Sequence, residues 1–423
     1  MKNHASFLVL VIVFLAGPLW AKTVTLQECL EAAQKNNPAL RTAAWDTRLA
    51  EQNIRQTSSA LYPRIDAQAG YTMQQAPQAV RINGFTAETQ EPDYASAGLA
   101  ANYTIYDFGR RNARITQASL QAESTAGFFD ARKADLSMQV IEAFFRILET
   151  SKLITAAEEE VAQVMEHRRV AQTLYEEGVV TRNDVLQADV RLAAARQNLL
   201  AIKNRRENYW LQLNFLTGVD QTFRGELDEQ SGLASIAKIN AAGDSAITNR
   251  AELKALRAGV KASEASVKEN RSSFYPELFT RLGLDYVQND KVKEQTIMSA
   301  MVGIKVNLFD GFASTAALKR AVDIRSRNQD ALRQNEEQVR LEVATAQNDI
   351  QVAKERIATT QAAILQSEEN LRINRERYQE RVGTATEMLD AQTLLTQTKT
   401  SYFQAIFDHQ VSTARLKRAL GEL

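Results

Sequence analysis

The chain has a single cysteine, Cys29, in 423 residues, so no disulfide framework can staple it. Six prolines and 17 glycines leave little punctuation, which implies long uninterrupted elements. Lys+Arg and Asp+Glu both total 51, giving a formal net charge of zero and no basic footprint for nucleic acid. His4, His167 and His409 are scattered, and no phosphate-cradling glycine loop, paired-cysteine metal spacing or activated nucleophile accompanies them. The sequence therefore indicates neither an enzyme nor a cofactor or metal site. Beyond residue 21 no apolar run approaches the roughly 20 residues that a membrane-spanning helix needs. If this chain crosses a membrane, it does so with strands.

Met1 to His4, the apolar run Phe7 to Leu15 and the small-residue stretch ending at Ala21 have the form of a secretory signal peptide, 1–21, with cleavage expected after Ala21. Cys29 lies past that boundary among helix-forming residues, away from a lipidation position, and reads as a buried spare thiol.

What the chain does have is a repeat. Adding 203 to the numbering maps Tyr106-Asp107 onto Phe309-Asp310, Tyr175 onto Tyr378, Leu186 onto Leu389 and Gly218 onto Gly421. Upstream the offset is 213, carrying Asn36 onto Asn249, Tyr62-Pro63 onto Tyr275-Pro276 and Gly70 onto Gly283. Two tandem copies follow, the first with ten extra residues between Gly70 and Tyr106.

Each copy reads helix, strand, strand, helix. Thr25-Leu26-Gln27-Glu28 is a capping box opening a short helix, and Asn37-Pro38 starts the next, which closes at Tyr62-Pro63. The period then becomes 2, with Ile65, Ala67, Ala69, Tyr71 and Met73 alternating with polar or small residues. The first repeat, 22–218, carries strands at 64–73 and 95–106, a long helix at 110–176 and a return helix at 183–216. A polar linker, 219–246, precedes the second repeat, 247–423, with strands at 277–287 and 296–308 and helices at 313–380 and 386–420. At about 1.5 Å per residue each long helix is near 100 Å, and the helix before the strands plus the return helix sum to about 90 Å, so the short pair stacks end to end beside the long one.

Four amphipathic strands cannot close a sheet, and open edges are not tolerated in hydrocarbon. If they span a membrane, copies of the chain must share a barrel, and two or three copies satisfy that argument. The apolar faces then meet lipid, while Arg281, Asp285, Lys305 and Asn307 face a wet lumen. A soluble antiparallel sheet with one solvated face gives the same alternation, so a periplasmic coiled-coil scaffold without a channel is the competing reading. The leader, the long helices and the lack of a layer to cover the sheet favour the barrel.

The tandem copies, the Tyr-Asp-Phe-Gly and Leu-Phe-Asp-Gly junctions, Val382-Gly383-Thr384, Leu389-Asp390-Ala391 and Leu420-Gly421 together resemble the TolC-like outer membrane efflux proteins over the whole mature chain. The resemblance implies a mainly α fold with a membrane β-barrel: a homotrimer whose twelve strands form one outer-membrane barrel on a long helical periplasmic tube. It implies a passive exit duct, embedded in outer-membrane lipid, for a tripartite efflux or type I secretion system, with a periplasmic adaptor and an inner-membrane pump as partners. No lipid-bearing cysteine lies near Ala21, unlike in many relatives.

Two turns reverse the chain between long and return helices, and at each a glycine in the left-handed region is the simplest reason. The resemblance makes these tips the adaptor contacts, at Gly178, Val179 and Thr181 and at Val382, Gly383 and Thr384. Just beyond, it makes Asp184, Glu387 and Asp390 candidates for a periplasmic gate of converging carboxylates. The plainer reading of such acids is a favourable partner for a helix dipole.

Overall fold

The computed structural model describes residues 23–230 and 243–423. The expected signal peptide and part of the linker lie outside them.

The first copy opens with α1 (Leu26–Asn36), whose capping box forms as expected, with Glu28 N donating to Thr25 Oγ1 at 3.2 Å and Thr25 N to Glu28 Oε2 at 3.1 Å. Asn37 then caps α2 (Pro38–Ser58) by accepting from Ala39 N at 2.9 Å, and proline fills the first turn, where its missing N–H costs nothing. A 3-10 turn, Ser59–Leu61, leads to β1 (Arg64–Met73). β2 (Ala79–Ile82), β3 (Phe85–Glu88) and β4 (Asp93–Tyr106) follow, then α3 (Arg110–Glu176) and α4 (Arg182–Thr217). The second copy comprises α5 (Gly243–Asn249), α6 (Ala251–Ser272), β5 (Glu277–Val287), β6 (Thr296–Lys305), α7 (Ala313–Gln379) and α8 (Ala385–Leu420). In the expected linker, Leu227 makes a parallel bridge to Val24.

The two long helices are both 67 residues and the two return helices both 36, in step with the constant numbering offset. The extra residues of the first copy form the β2–β3 hairpin, which turns at Asn83-Gly84, both in the left-handed region as a tight hairpin requires. Asn289 Nδ2 donates to Thr89 O at 2.9 Å and Lys291 pairs with Glu88, pinning this hairpin to the β5–β6 turn.

The main sheet is antiparallel in the order β1-β4-β5-β6, so the two copies join at β4–β5. Its register places Ile65, Ala101 and Leu282 in one cross-strand row, and Arg64, Asn102 and Arg281 in the next, facing oppositely. One face is therefore apolar across all four strands, and the other carries the charged and polar side chains, with Phe279, Ile297 and Met301 among them. Among the described residues no helix packs over either face. β6 ends at Lys305, three residues short of the expected 308.

End-to-end stacking of short helices is realised at the junctions. Asn37 Nδ2 donates to Leu216 O at 2.9 Å, which seats the end of α4 on the start of α2. In the second copy Arg250 Nη1 reaches Ala419 O at 3.4 Å, and a Cβ on Gly421 would lie 3.0 Å from the Asn249 carbonyl carbon, so α8 abuts α6 just as closely. Around the first junction sits the largest core, where Phe144, Phe145 and Val140 of α3 meet Leu26, Trp210, Leu213, Phe407 and Val411. Cys29 lies in this core, and burial, with the nearby Glu28 charge, pushes its thiol up to about 12, so it stays an unreactive thiol.

Candidate functional site

The polar face of the sheet carries Arg64, Asp66, Gln68, Asn102, Arg281, Asp285 and Lys305. Arg64 pairs with Asp66 at 2.9 Å, and Thr104 donates to Glu277 at 2.8 Å. Gly98 makes room for Asp285, whose Oδ1 would lie 2.9 Å from a Cβ there. At the helical end of this face a cavity of about 900 Å³ is lined by Arg64, Asn102, Thr104, Phe279 and Lys305 together with Arg110 and Arg114 of α3. The cavity thus opens on the polar side of the sheet. Asn307 is not part of it: it lies past the end of β6, and its amide donates to Asp310 Oδ2 at 3.0 Å. Asp310 in turn accepts from Ser314 N at 3.0 Å, so Asn307 serves the start of α7.

The opposite face presents Ile65, Tyr71, Met73, Leu99, Met298, Val302 and Ile304 as exposed apolar side chains. A bulge at Ile105 shifts the β4–β5 register so that Tyr106 pairs with Leu278 on this same face. Tyr106 meets Phe108 edge-on at 4.8 Å, and Phe108 stacks on Tyr275 at 5.1 Å, forming an aromatic rim where strands give way to helices.

At the opposite end of the long helices lie the two tips. In the first, Gly178 takes a left-handed φ of 74° and Val179 N donates to Leu174 O at 2.8 Å. The second differs from the expectation of a left-handed glycine at both. There Arg381, equivalent to Gly178, takes the left-handed φ of 64°, while Gly383 is outside the positive-φ set. Gly383 is needed for space, because a Cβ would sit 3.0 Å from Arg377 Cβ. Val179 and Val382 are exposed, at 37% and 69%.

The candidate gate acids divide into two kinds. Asp184 Oδ2 accepts from Thr181 N at 2.9 Å, and Glu387 Oε2 accepts from Thr384 N at 3.1 Å, each closing a capping box at the start of a return helix. Glu387 also lies 3.7 Å from Arg377. Asp390 has no such duty; it is exposed and lines a groove of about 390 Å³ between α4 and α8 with Leu186, Gln187, Val190 and Arg191. Thr386 Oγ1 and Gln187 Oε1, 3.2 Å apart, link the two helices there.

Sequence reading passed over the buried polar groups behind the tips. His167 is 3% exposed, and among the described residues its Nε2 has no hydrogen-bond partner; the same holds for Tyr378 Oη, Gln163 Oε1 and Gln392 Oε1. Burial holds the His167 imidazole below its usual value, with the Asp184 charge pulling the other way. Its place one turn beyond Val164 on the apolar stripe of α3 was the available signal.

Among the described residues no helix is long and apolar enough to cross a membrane, and no group of His, Cys, Asp or Glu is arranged to hold a metal ion. The architecture defines a class: tandem helix–strand–strand–helix repeats that join an amphipathic sheet to a long helical bundle. The chain matches the family described as outer membrane efflux protein over residues 29–219 and 242–422, one match per copy, and it belongs to that family. It is similar to outer membrane protein TolC of Vibrio cholerae, 22% identical over 97% of this chain and 93% of that one. It is also similar to the outer membrane efflux protein BepC of Brucella suis, at 21% identity over 95% and 86% of the two chains. Among solved structures, the outer membrane protein VceC of Vibrio cholerae superimposes with a TM-score of 0.81, at 19% identity over 94% of this chain and 96% of that one.

Proposed function

We propose that three copies of this chain form an outer-membrane exit duct, through which substrates pass from a periplasmic adaptor and inner-membrane pump to the exterior. One observation carries the reading: an amphipathic four-stranded sheet that, among the described residues, has unpaired edges at β1 and β6 and no layer over either face. Such edges invite pairing with another strand, and in hydrocarbon they must find one. Cyclic pairing of β6 with the next copy's β1 closes the sheet; three copies give twelve strands, within the range of outer-membrane barrels. The apolar face then meets lipid, and Arg281, Asp285 and Lys305 line the water-filled interior.

The helical part extends the duct into the periplasm. Gly178, Val179, Thr181, Val382, Gly383 and Thr384 form the end that meets the adaptor, and exposed Val179 and Val382 supply its apolar contacts. Asp390 is the best placed of the three acids to constrict the closed end, since Asp184 and Glu387 are engaged as caps. Transport through the duct is passive and its energy comes from the pump. Membrane extraction and planar-bilayer conductance test the proposal: retention until detergent is added, a mass three times that of the mature chain and ion conductance are expected. Release by high salt as a monomer without conductance would overturn it.

A further inference from the structure

Below the aromatic rim, α3 and α6 enclose a groove of about 570 Å³ between Phe108 and Tyr275 at its top and Lys261, Glu264, Lys268 and Arg271 along its wall. The four α6 residues recur every three or four positions, which places them in one row on the helix. Lys261, Lys268 and Arg271 are exposed, and among the described residues none of them has a carboxylate partner. Ser272 Oγ donates to Phe108 O at 3.1 Å, so the cationic row is anchored to the rim. The first copy repeats part of the pattern, with Arg48, Glu51 and Arg55 on α2 and Tyr62 beyond it, although Ser58 stands where Arg271 does and these positions are outside the core.

The side of the molecule follows from helix phase. The α3 residues in this groove, including Asn112, Thr116 and Leu120, fall opposite Arg110, Arg111 and Arg114, which line the cavity on the polar side, because successive residues turn by about 100°. The groove therefore opens outward, directly beneath the apolar band of the sheet. It also lies under the β4–β5 centre of the sheet rather than under the β1 or β6 edges where another copy would pair, so a neighbouring subunit does not cover it.

We propose that this groove binds the headgroup of an anionic phospholipid in the periplasmic leaflet of the outer membrane. The inference rests on the membrane reading above. The acyl chains continue along the apolar face, the glycerol region meets the stacked Phe108–Tyr275 pair, and the phosphate meets Lys268 and Arg271, with Lys261 two helical turns, about 10 Å, deeper beyond Glu264. Such juxtamembrane cations are the recognised chemistry for anionic headgroups.

Native mass spectrometry of the detergent-purified assembly, titrated separately with phosphatidylglycerol, phosphatidylethanolamine and water-soluble glycerol phosphate, tests this. The wild type should retain phosphatidylglycerol preferentially, and Lys261→Gln, Lys268→Gln and Arg271→Gln together should weaken that binding roughly 10- to 100-fold. The same charge change at Arg196, Lys203 and Arg205, far from the rim, should leave it intact. Undiminished lipid binding by the groove variant, equal loss in the control, equal retention of the zwitterionic lipid, or equally tight binding of free glycerol phosphate would each overturn the proposal. Salt release of the wild-type chain from membranes would instead overturn the duct reading, so the two failures are told apart.

Discussion

His167 of α3 and Tyr378 of α7 lie ring against ring, 5.1 Å between centroids, and thereby join the two copies just behind their tips. His167 Nε2 and Tyr378 Oη are both buried and, among the described residues, without a hydrogen-bond partner, so packing holds the contact. A depressed folded-state value means that the open or unfolded tip takes up the proton first. The stability conferred by neutral His167 is complete above the ordinary histidine value of 6.5 and declines as the pH falls through and below it. Amides flanking the tips, once corrected for the intrinsic pH dependence of exchange, should be less protected at about pH 5.5 than at about pH 7.5, and His167→Asn should remove most of that difference. An unchanged pH response in the variant would assign the effect to other groups.

The division among the tip acids predicts unequal mutants. Asp390→Asn should reduce cation preference in planar-bilayer reversal potentials, because charge in a narrow wet constriction is focused by its low-dielectric walls. Asp184→Asn should cost about 1 kcal/mol of local helix stability through its capping box and leave selectivity nearly as it was. The reverse outcome would move the constriction to the caps.

Arg381 adopts a backbone conformation that side chains with a Cβ disfavour. Arg381→Gly should therefore stabilise the second tip by about 1 kcal/mol, and Gly178→Ala should destabilise the first by a similar amount. Hydrogen exchange at Val382 and Val179 reads each effect locally.

Arg250 is 4% exposed and bridges three helices, pairing with Glu252 of α6 and with Glu342 of α7 at 2.7 Å, and reaching the end of α8 through Ala419 O. Arg250→Ala would leave both acids without their main cation and should cost about 3 kcal/mol, visible as a lower denaturant midpoint. Substituting Glu342 alone, whose side chain is 39% exposed, should cost much less.

Much of this architecture is legible along the chain. Scarce proline discloses the long helices, 67 residues each, and the change of numbering offset locates the β2–β3 hairpin before any coordinate is known. Local signals mislead where tertiary contact decides. Gly383 resembles a left-handed turn residue, but its conformation is ordinary and the space beside Arg377 is what it provides. Asn307 continues the strand alternation in sequence, yet the cap at Asp310 claims its amide. His167 stands alone in the sequence, and only the packing of α3 against α7 brings Tyr378 to it.

The equal helix lengths of the two copies constrain how such a chain can vary. Both tips stand at the same depth because each 67-residue helix descends as far as the other and each 36-residue helix climbs back as far. An insertion of one turn in α3 alone would drop one tip by about 5 Å and tilt the end face. A tolerated change of length must therefore occur four times, once in each descending and each returning helix, whereas the outward loop between β1 and β4 took a whole hairpin without any such accounting. Descendants of this chain should differ freely at the mouth and keep a common stature below it.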